Sequence, residues 1–164
     1  MLRLRECKFP RPAVTVRLMT CPTIRIDAMT DEDITLVRES FAQLHRRRNE
    51  TSELFYARLF EIAPDVRPLF KADLAAQRVN LMEFLAVAMA TLRDPKGLTV
   101  LLKKLGRNHR GYGVQERHYD QVGAALIWTL RTSLGAGFTP ELERAWTSLY
   151  GEMANTMIAA GRGA

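Results

Sequence analysis

The stretch LGRNHRGYGV, residues 105–114, sets a histidine one helical turn beyond a leucine and then stops the helix with glycine. Leu98, Leu101, Leu102 and Leu105 recur at helical spacing ahead of it, so the stretch closes an amphipathic helix that Gly111 and Gly113 terminate. His109 lies four residues after Leu105 on that apolar stripe, so its imidazole is expected to point into the core. A lone buried histidine is commonly satisfied by one hydrogen bond. Neutral imidazole is also the commonest metal ligand among side chains.

Working outward, the body of the chain reads as helix after helix. Thr30 is a good cap for a first helix, with Asp31, Glu32 and Asp33 in its first turn and Ile34, Val37, Phe41 and Leu44 as its apolar stripe. A second helix is predicted over about 51–63, ending before Pro64. Residues 65–70 form a tight corner between Pro64 and Pro68. A long helix covers about 73–93 and stops at Asp94–Pro95. Another runs over about 115–134, with Tyr119, Val122, Leu126 and Leu130 inward. Thr139 caps the last helix, with Pro140 at its first position and Leu142, Trp146, Leu149, Met153 and Met157 as its stripe. No strand or repeat is expected.

Two more polar residues fall on apolar faces. Gln77 heads the stripe continued by Leu81, Leu85 and Ala88, and Tyr56 shares a face with Leu59 and Phe60. A buried amide must have its donors and acceptor met, and a tyrosine on such a face is usually core with its hydroxyl at the rim. Either residue alone has a plain structural explanation: Gln77 near a helix start reaches solvent, and Tyr56 packs. His45, beside an arginine run, and His118, next to Tyr119 and expected to face outward, are given structural roles.

Composition narrows the function classes. The chain has 164 residues, 47% hydrophobic and 26% charged, the profile of an ordinary globular domain. No apolar run approaches the roughly 18 residues of a membrane span. Arg3, Arg5, Lys8, Arg11, Arg17 and Arg25 against Glu6 and Asp27 give residues 1–28 a net charge of +4, which leaves +2 of the total +6 for the rest. The body has no basic stripe interleaved with aromatics, so no nucleic-acid footprint is expected. Arg46–Arg47–Arg48 sits at a helix end, where cations complement the dipole. Both cysteines, Cys7 and Cys21, also lie in residues 1–28, so the body has no thiolate metal site or disulfide, which fits a reducing cytoplasm. Residues 1–28 have no period and hold Pro10, Pro12 and Pro22. They are read as a disordered extension, a targeting arm, or the product of an upstream start with Met29 the true one. The domain itself is placed at 29–164, and residues 1–28 are expected to be dispensable to it.

Taken together, local words carry a stronger signal than single residues. Phe55–Tyr56 followed by Pro64, Val66–Arg67–Pro68–Leu69–Phe70, Gln77–Arg78 with Leu81–Met82, residues 105–109 with Tyr112–Gly113–Val114, and Trp146 with Tyr150–Gly151 resemble bacterial single-domain haemoglobins and the haem domains of flavohaemoglobins. The resemblance is to the globin family, and most of all to methanotroph globins with tyrosine and glutamine on the gas side. It spans about residues 30–160 in the right order. The 32 residues from Gln77 to His109 and the 14 from Tyr56 to Phe70 match that family's spacing.

The resemblance implies an all-α globin fold, a helical sandwich around a pocket for haem b. His109 becomes the protein ligand to the iron. Phe70 wedges against the haem, Gln77 and Leu81 line the gas side, and Tyr56 reaches the gas from the second helix. Tyr119 matches a tyrosine that, in flavohaemoglobins, joins a last-helix glutamate in bonding the proximal histidine. Gly161 stands where that glutamate should fall, and no acid follows Glu152. Tuning of His109 by a carboxylate is therefore not expected. The implied partners are dioxygen and other diatomic gases, held through hydrogen bonds from Tyr56 and Gln77. Conversion of nitric oxide would need a separate cellular reductase, since no flavin or nicotinamide module is expected in the chain. A haem-based gas sensor and a haem-free interaction domain are the competing readings. The sensor usually carries a transmitter domain, and the haem-free form has no use for His109, Phe70, Tyr56 and Gln77 together.

Overall fold

The structure is a computed structural model and describes residues 29–70 and 73–163. The expectations placed on residues 1–28 and their cysteines lie outside the described residues. Six α-helices run in the order α1 (Asp31–Arg46), α2 (Arg48–Ile62), α3 (Leu74–Thr91), α4 (Pro95–Gly111), α5 (Glu116–Leu134) and α6 (Pro140–Arg162), with a 3-10 turn at Pro64–Leu69 and another at Gly135–Gly137. No strand occurs among the described residues.

Local chemistry sets these boundaries. The Thr30 side chain accepts from the Asp33 amide at 3.1 Å, while the Asp33 carboxylate takes the Thr30 amide at 3.0 Å, a reciprocal cap that starts α1. Asp73 accepts from the Ala75 amide at 2.9 Å, Asp94 from the Gly97 amide at 3.0 Å, and Thr139 from the Leu142 amide at 3.3 Å. At the far end of α4, Gly113 adopts a φ of +84°, which only glycine tolerates without strain. That turn lets the amides of Tyr112 and Val114 return to the His109 carbonyl at 3.1 and 3.0 Å. The last turn of α4, which carries His109, is therefore closed by its own backbone.

Tertiary packing sets α4, α1 and α5 against α6, and α2 against α5 and α3. The core divides into a large cluster that includes Val37, Leu92, Leu98, Leu102, Trp146 and Leu149, and a smaller one of Phe55, Tyr56, Leu59, Ala63, Val66 and Ala125. Leu81 and Leu126 touch both. At Gly106 the backbones of α4 and α6 meet: a Cβ there would sit 2.2 Å from the Met157 carbonyl oxygen. The outward α3 face keeps Val79 and Val87 exposed, so its apolar residues are not all used inside.

Trp146 is buried, and its indole N–H donates to the Ser40 hydroxyl at 3.0 Å, which donates in turn to the Val37 carbonyl at 2.9 Å. This pair ties α6 to α1 through the centre of the large cluster. Trp146→Phe should lower stability by roughly 1–3 kcal/mol, since it removes the donor and part of a buried ring. Denaturant unfolding of Trp146→Phe, Ser40→Ala and the double variant checks this: the double variant should lose less than the sum of the singles.

Candidate functional site

A cavity of about 260 Å³ lies among members of both core clusters, and Tyr56, Phe70, Gln77, Leu81, His109 and Tyr119 all line it. Five separate segments supply them. Tyr56 comes from α2, Phe70 follows the 3-10 turn, Gln77 and Leu81 stand one turn apart on α3, His109 is on α4 and Tyr119 on α5. The remaining wall is largely apolar, with Phe55, Phe84, Leu85, Leu105 and Val122 among its members.

On one side, His109 is half-buried and its Nδ1 lies 2.9 Å from the Leu105 carbonyl oxygen. A carbonyl only accepts, so Nδ1 carries the proton and Nε2 keeps its lone pair. Burial lowers the pKa of this histidine below the ordinary value, more than the Leu105 bond raises it, so the ring is neutral at pH 7. Its orientation is held by the backbone of its own helix. The Tyr119 ring lies 6.2 Å from the His109 ring, tilted by 32°. Tyr119 thus meets the histidine as a packed ring, and the Leu105 carbonyl holds the position that a hydroxyl would take. At Gly161 the nearest groups to a Cβ would be the Gly106 carbonyl and the Arg110 Cβ.

On the other side, Tyr56 is 4% exposed and its hydroxyl donates to the Gln77 main-chain oxygen at 3.3 Å. This bond spans from α2 to α3 and fixes where the first turn of α3 sits. The Arg78–Glu53 ion pair at 3.0 Å fastens the same two helices on the outside. Burial pushes the Tyr56 phenol up to about 12, against a smaller lowering by Arg78, so it remains protonated at neutral pH. Gln77 is half-buried at the cavity wall. Phe70 packs edge-on against Tyr56 at 5.4 Å and Phe60 at 5.5 Å, an aromatic corner that anchors the 3-10 turn to α2.

The outward placement of His118 is overturned. It is 5% exposed and lines the same cavity. Its Nδ1 accepts from the Gln115 amide at 3.1 Å, closing the first turn of α5. The proton then sits on Nε2, 3.8 Å from the Asp65 carboxylate, too far for a hydrogen bond. Burial lowers the pKa of this histidine, Arg117 adds to the lowering, and Asp65 opposes both. The 3-10 turn, which brings Asp65 over the start of α5, is what buries it. His45 stays apart from the cavity and packs on Phe41, with ring centroids 5.6 Å apart.

Sequence reasoning did not single out Phe84, Val114 or His118 for this wall. Phe84 stands one turn beyond Leu81, and Val114 directly follows the glycine that ends α4, so helical spacing held a signal for the first only.

A model of the globin family matches residues 53–157 of the chain. The neuroglobin of Chaenocephalus aceratus is 27% identical over 139 residues, which is 76% of this chain and 87% of that protein. Among solved structures, a hexacoordinated heme protein from an anhydrobiotic tardigrade superposes with a TM-score of 0.74 at 20% identity, covering 82% of this chain and 96% of that one. A bacterial globin from Campylobacter jejuni gives a TM-score of 0.71 at 23% identity, over 82% and 97% of the two chains.

Proposed function

Since the chain belongs to the globin family, we propose that its central cavity holds haem b and that the protein binds dioxygen reversibly there. The observation that carries this reading is His109: a neutral imidazole on the wall of an apolar cavity, its Nδ1–H taken by the Leu105 carbonyl and its Nε2 lone pair left over. That donor set fits a haem iron, which takes one imidazole and leaves its other face for a gas. When bound, haem supplies an iron that takes diatomic ligands and, with electrons from a separate reductase, supports oxidation of nitric oxide to nitrate.

The chain's own residues set which ligand is favoured. Leu105 orients His109. Phe70, Leu81, Phe84 and Leu85 exclude water from the cavity. Gln77 offers an amide N–H₂, and Tyr56 a protonated hydroxyl, to any ligand that gains negative charge. A hydroxyl has one proton, and Tyr56 spends it on the Gln77 backbone in this structure. Gln77 is thus the direct donor in this arrangement, with Tyr56 positioning it. Rotating the hydroxyl toward a ligand gives up a long, 3.3 Å bond, so the exchange is easy.

A second histidine ligand is disfavoured by the same geometry. Gln77, not a histidine, stands on the α3 wall of the cavity, His45 is elsewhere, and the lone pair of His118 is used by the Gln115 amide. The ferrous protein should therefore lack the low-spin spectrum of two axial imidazoles.

Absorption spectra of the purified protein in ferric, ferrous and dioxygen-equilibrated forms test the proposal. A stable spectral change on adding dioxygen, reversed under vacuum, is the expected result. Gln77→Leu and Tyr56→Phe should each speed dioxygen release by roughly tenfold, the change expected for one hydrogen bond to a charged group. Carbon monoxide release should change much less, because that ligand stays nearly apolar. Stopped-flow displacement on both variants and their combination measures this, and non-additive effects are expected because Tyr56, bonded to the main chain of Gln77, positions the residue that donates.

A further inference from the structure

We propose that a second cavity, which adjoins the first at Val114, Tyr119 and Met157, is a binding site for a small organic carboxylate with a compact apolar body. This cavity has a volume of about 450 Å³ and lies between the end of α4, the corner 113–115, the start of α5 and the end of α6. Two glycines shape it. Gly106 lets the α4 and α6 backbones touch, and Gly161 leaves open the space beside the Gly106 carbonyl and the Arg110 Cβ, at 3.4 and 3.5 Å from where its own Cβ would be. Val114, Met157 and Ile158 supply apolar wall. The volume lies within the usual range for small-molecule sites.

Its charge points to an anion. Glu116 and Arg162 both line the cavity, and both carboxylate oxygens are taken by the guanidinium at 2.6 Å, so that pair is neutral in itself. Arg110, the other charged lining residue, enters no ion pair among the described residues. It lowers the Glu116 pKa only as the last of several causes. The described lining therefore carries one guanidinium more than it has carboxylates, beside an apolar wall. Tyr119, which lines both cavities, supplies a second recognition group: it is 9% exposed, and its hydroxyl has no hydrogen-bond partner among the described residues. Burial keeps the phenol protonated, so it is a donor. A guanidinium and a phenol beside apolar side chains suit a monocarboxylate whose hydrocarbon part is buried. A neutral ligand would leave the Arg110 charge unused, and a dianion would exceed the net single positive charge of the described lining and meet Glu116.

Benzoate is the probe, with benzamide as its neutral counterpart of the same shape, titrated into the full chain and followed by amide chemical shifts. Benzoate should saturate in the millimolar range and shift residues 113–116, Ile158 and Gly161, while benzamide binds at least about tenfold more weakly. Arg110→Gln, at an exposed position without an ion pair among the described residues, should weaken benzoate by a similar factor. Ile158→Trp, which fills the groove, should abolish the shifts. Absence of saturation, equal binding of benzamide, an unchanged affinity in Arg110→Gln, or shifts centred on Phe84 and Leu85 of the other cavity would each overturn the proposal. None of these readouts requires haem, so the result stands apart from the gas-binding reading.

Discussion

His109→Ala should leave a chain that folds but fails to retain haem on gel filtration, falling from one haem per chain to a small fraction. The substitution removes the only neutral nitrogen donor with a free lone pair that the cavity presents among the described residues. His118 has its own lone pair engaged by the Gln115 amide, and Gln77 offers only an amide, a poor ligand for iron. The fold should survive because His109 is only half-buried and its one hydrogen bond runs to its own helix. Far-ultraviolet circular dichroism checks that point. Added imidazole should then restore an imidazole-ligated spectrum, since the alanine leaves space where the ring stood. A variant with unchanged haem content and spectrum would remove His109 from its proposed role and leave the cavity without an explanation.

Gly106→Val should be the most destabilising single change on α4, lowering stability by about 3 kcal/mol or more. Replacing glycine in a helix interior ordinarily favours the helix by up to ~1 kcal/mol. Here that gain is overwhelmed by sterics. The new Cβ would lie 2.2 Å from the Met157 carbonyl oxygen and 2.7 Å from its Cα, and both are backbone atoms that no rotamer change can move. Relief requires α4 and α6 to part. Their contact is the most extensive between any two helices here, and it also frames both cavities. Thermal and denaturant melts should show the loss, and haem retention should fall with it. Gly111→Ala is the control: nothing lies within 4 Å of a Cβ there, so it should melt as the unaltered chain does.

Much of the fold was legible in the chain because its punctuation is local. Thr30, Asp73, Asp94 and Thr139 cap amides only two or three residues away, and the predicted helix starts at 30–31, 73–74 and 139–140 agree with those of α1, α3 and α6. Pro64 and Gly113 stop helices for reasons contained in one residue's own backbone. α2 begins three residues before the expected start at 51, because Arg48–Glu50 are exposed and carry no apolar signal. The stripe of Leu98, Leu102 and Leu105 made His109 conspicuous, and period alone sufficed to turn it inward.

Other features depended on segments far apart in sequence. His118 lies on the first turn of α5, where face periodicity has hardly begun, and its burial comes from the 3-10 turn carrying Asp65. The Tyr56–Gln77 bond needs the hydroxyl of α2 to meet a main-chain oxygen of α3, and a main-chain acceptor leaves no mark on residue type. The partner of His109's Nδ1 was equally hidden, since the Leu105 carbonyl is common to every residue. The order and limits of most helices, and the inward face of His109, were determined by the sequence itself, through hydrogen bonds and apolar spacing that span a few residues. The convergence of Tyr56, Gln77 and His109 on one cavity was decided by the tertiary structure. So was the backbone contact at Gly106 that opens a second cavity, because both arise from how helices distant in the chain cross.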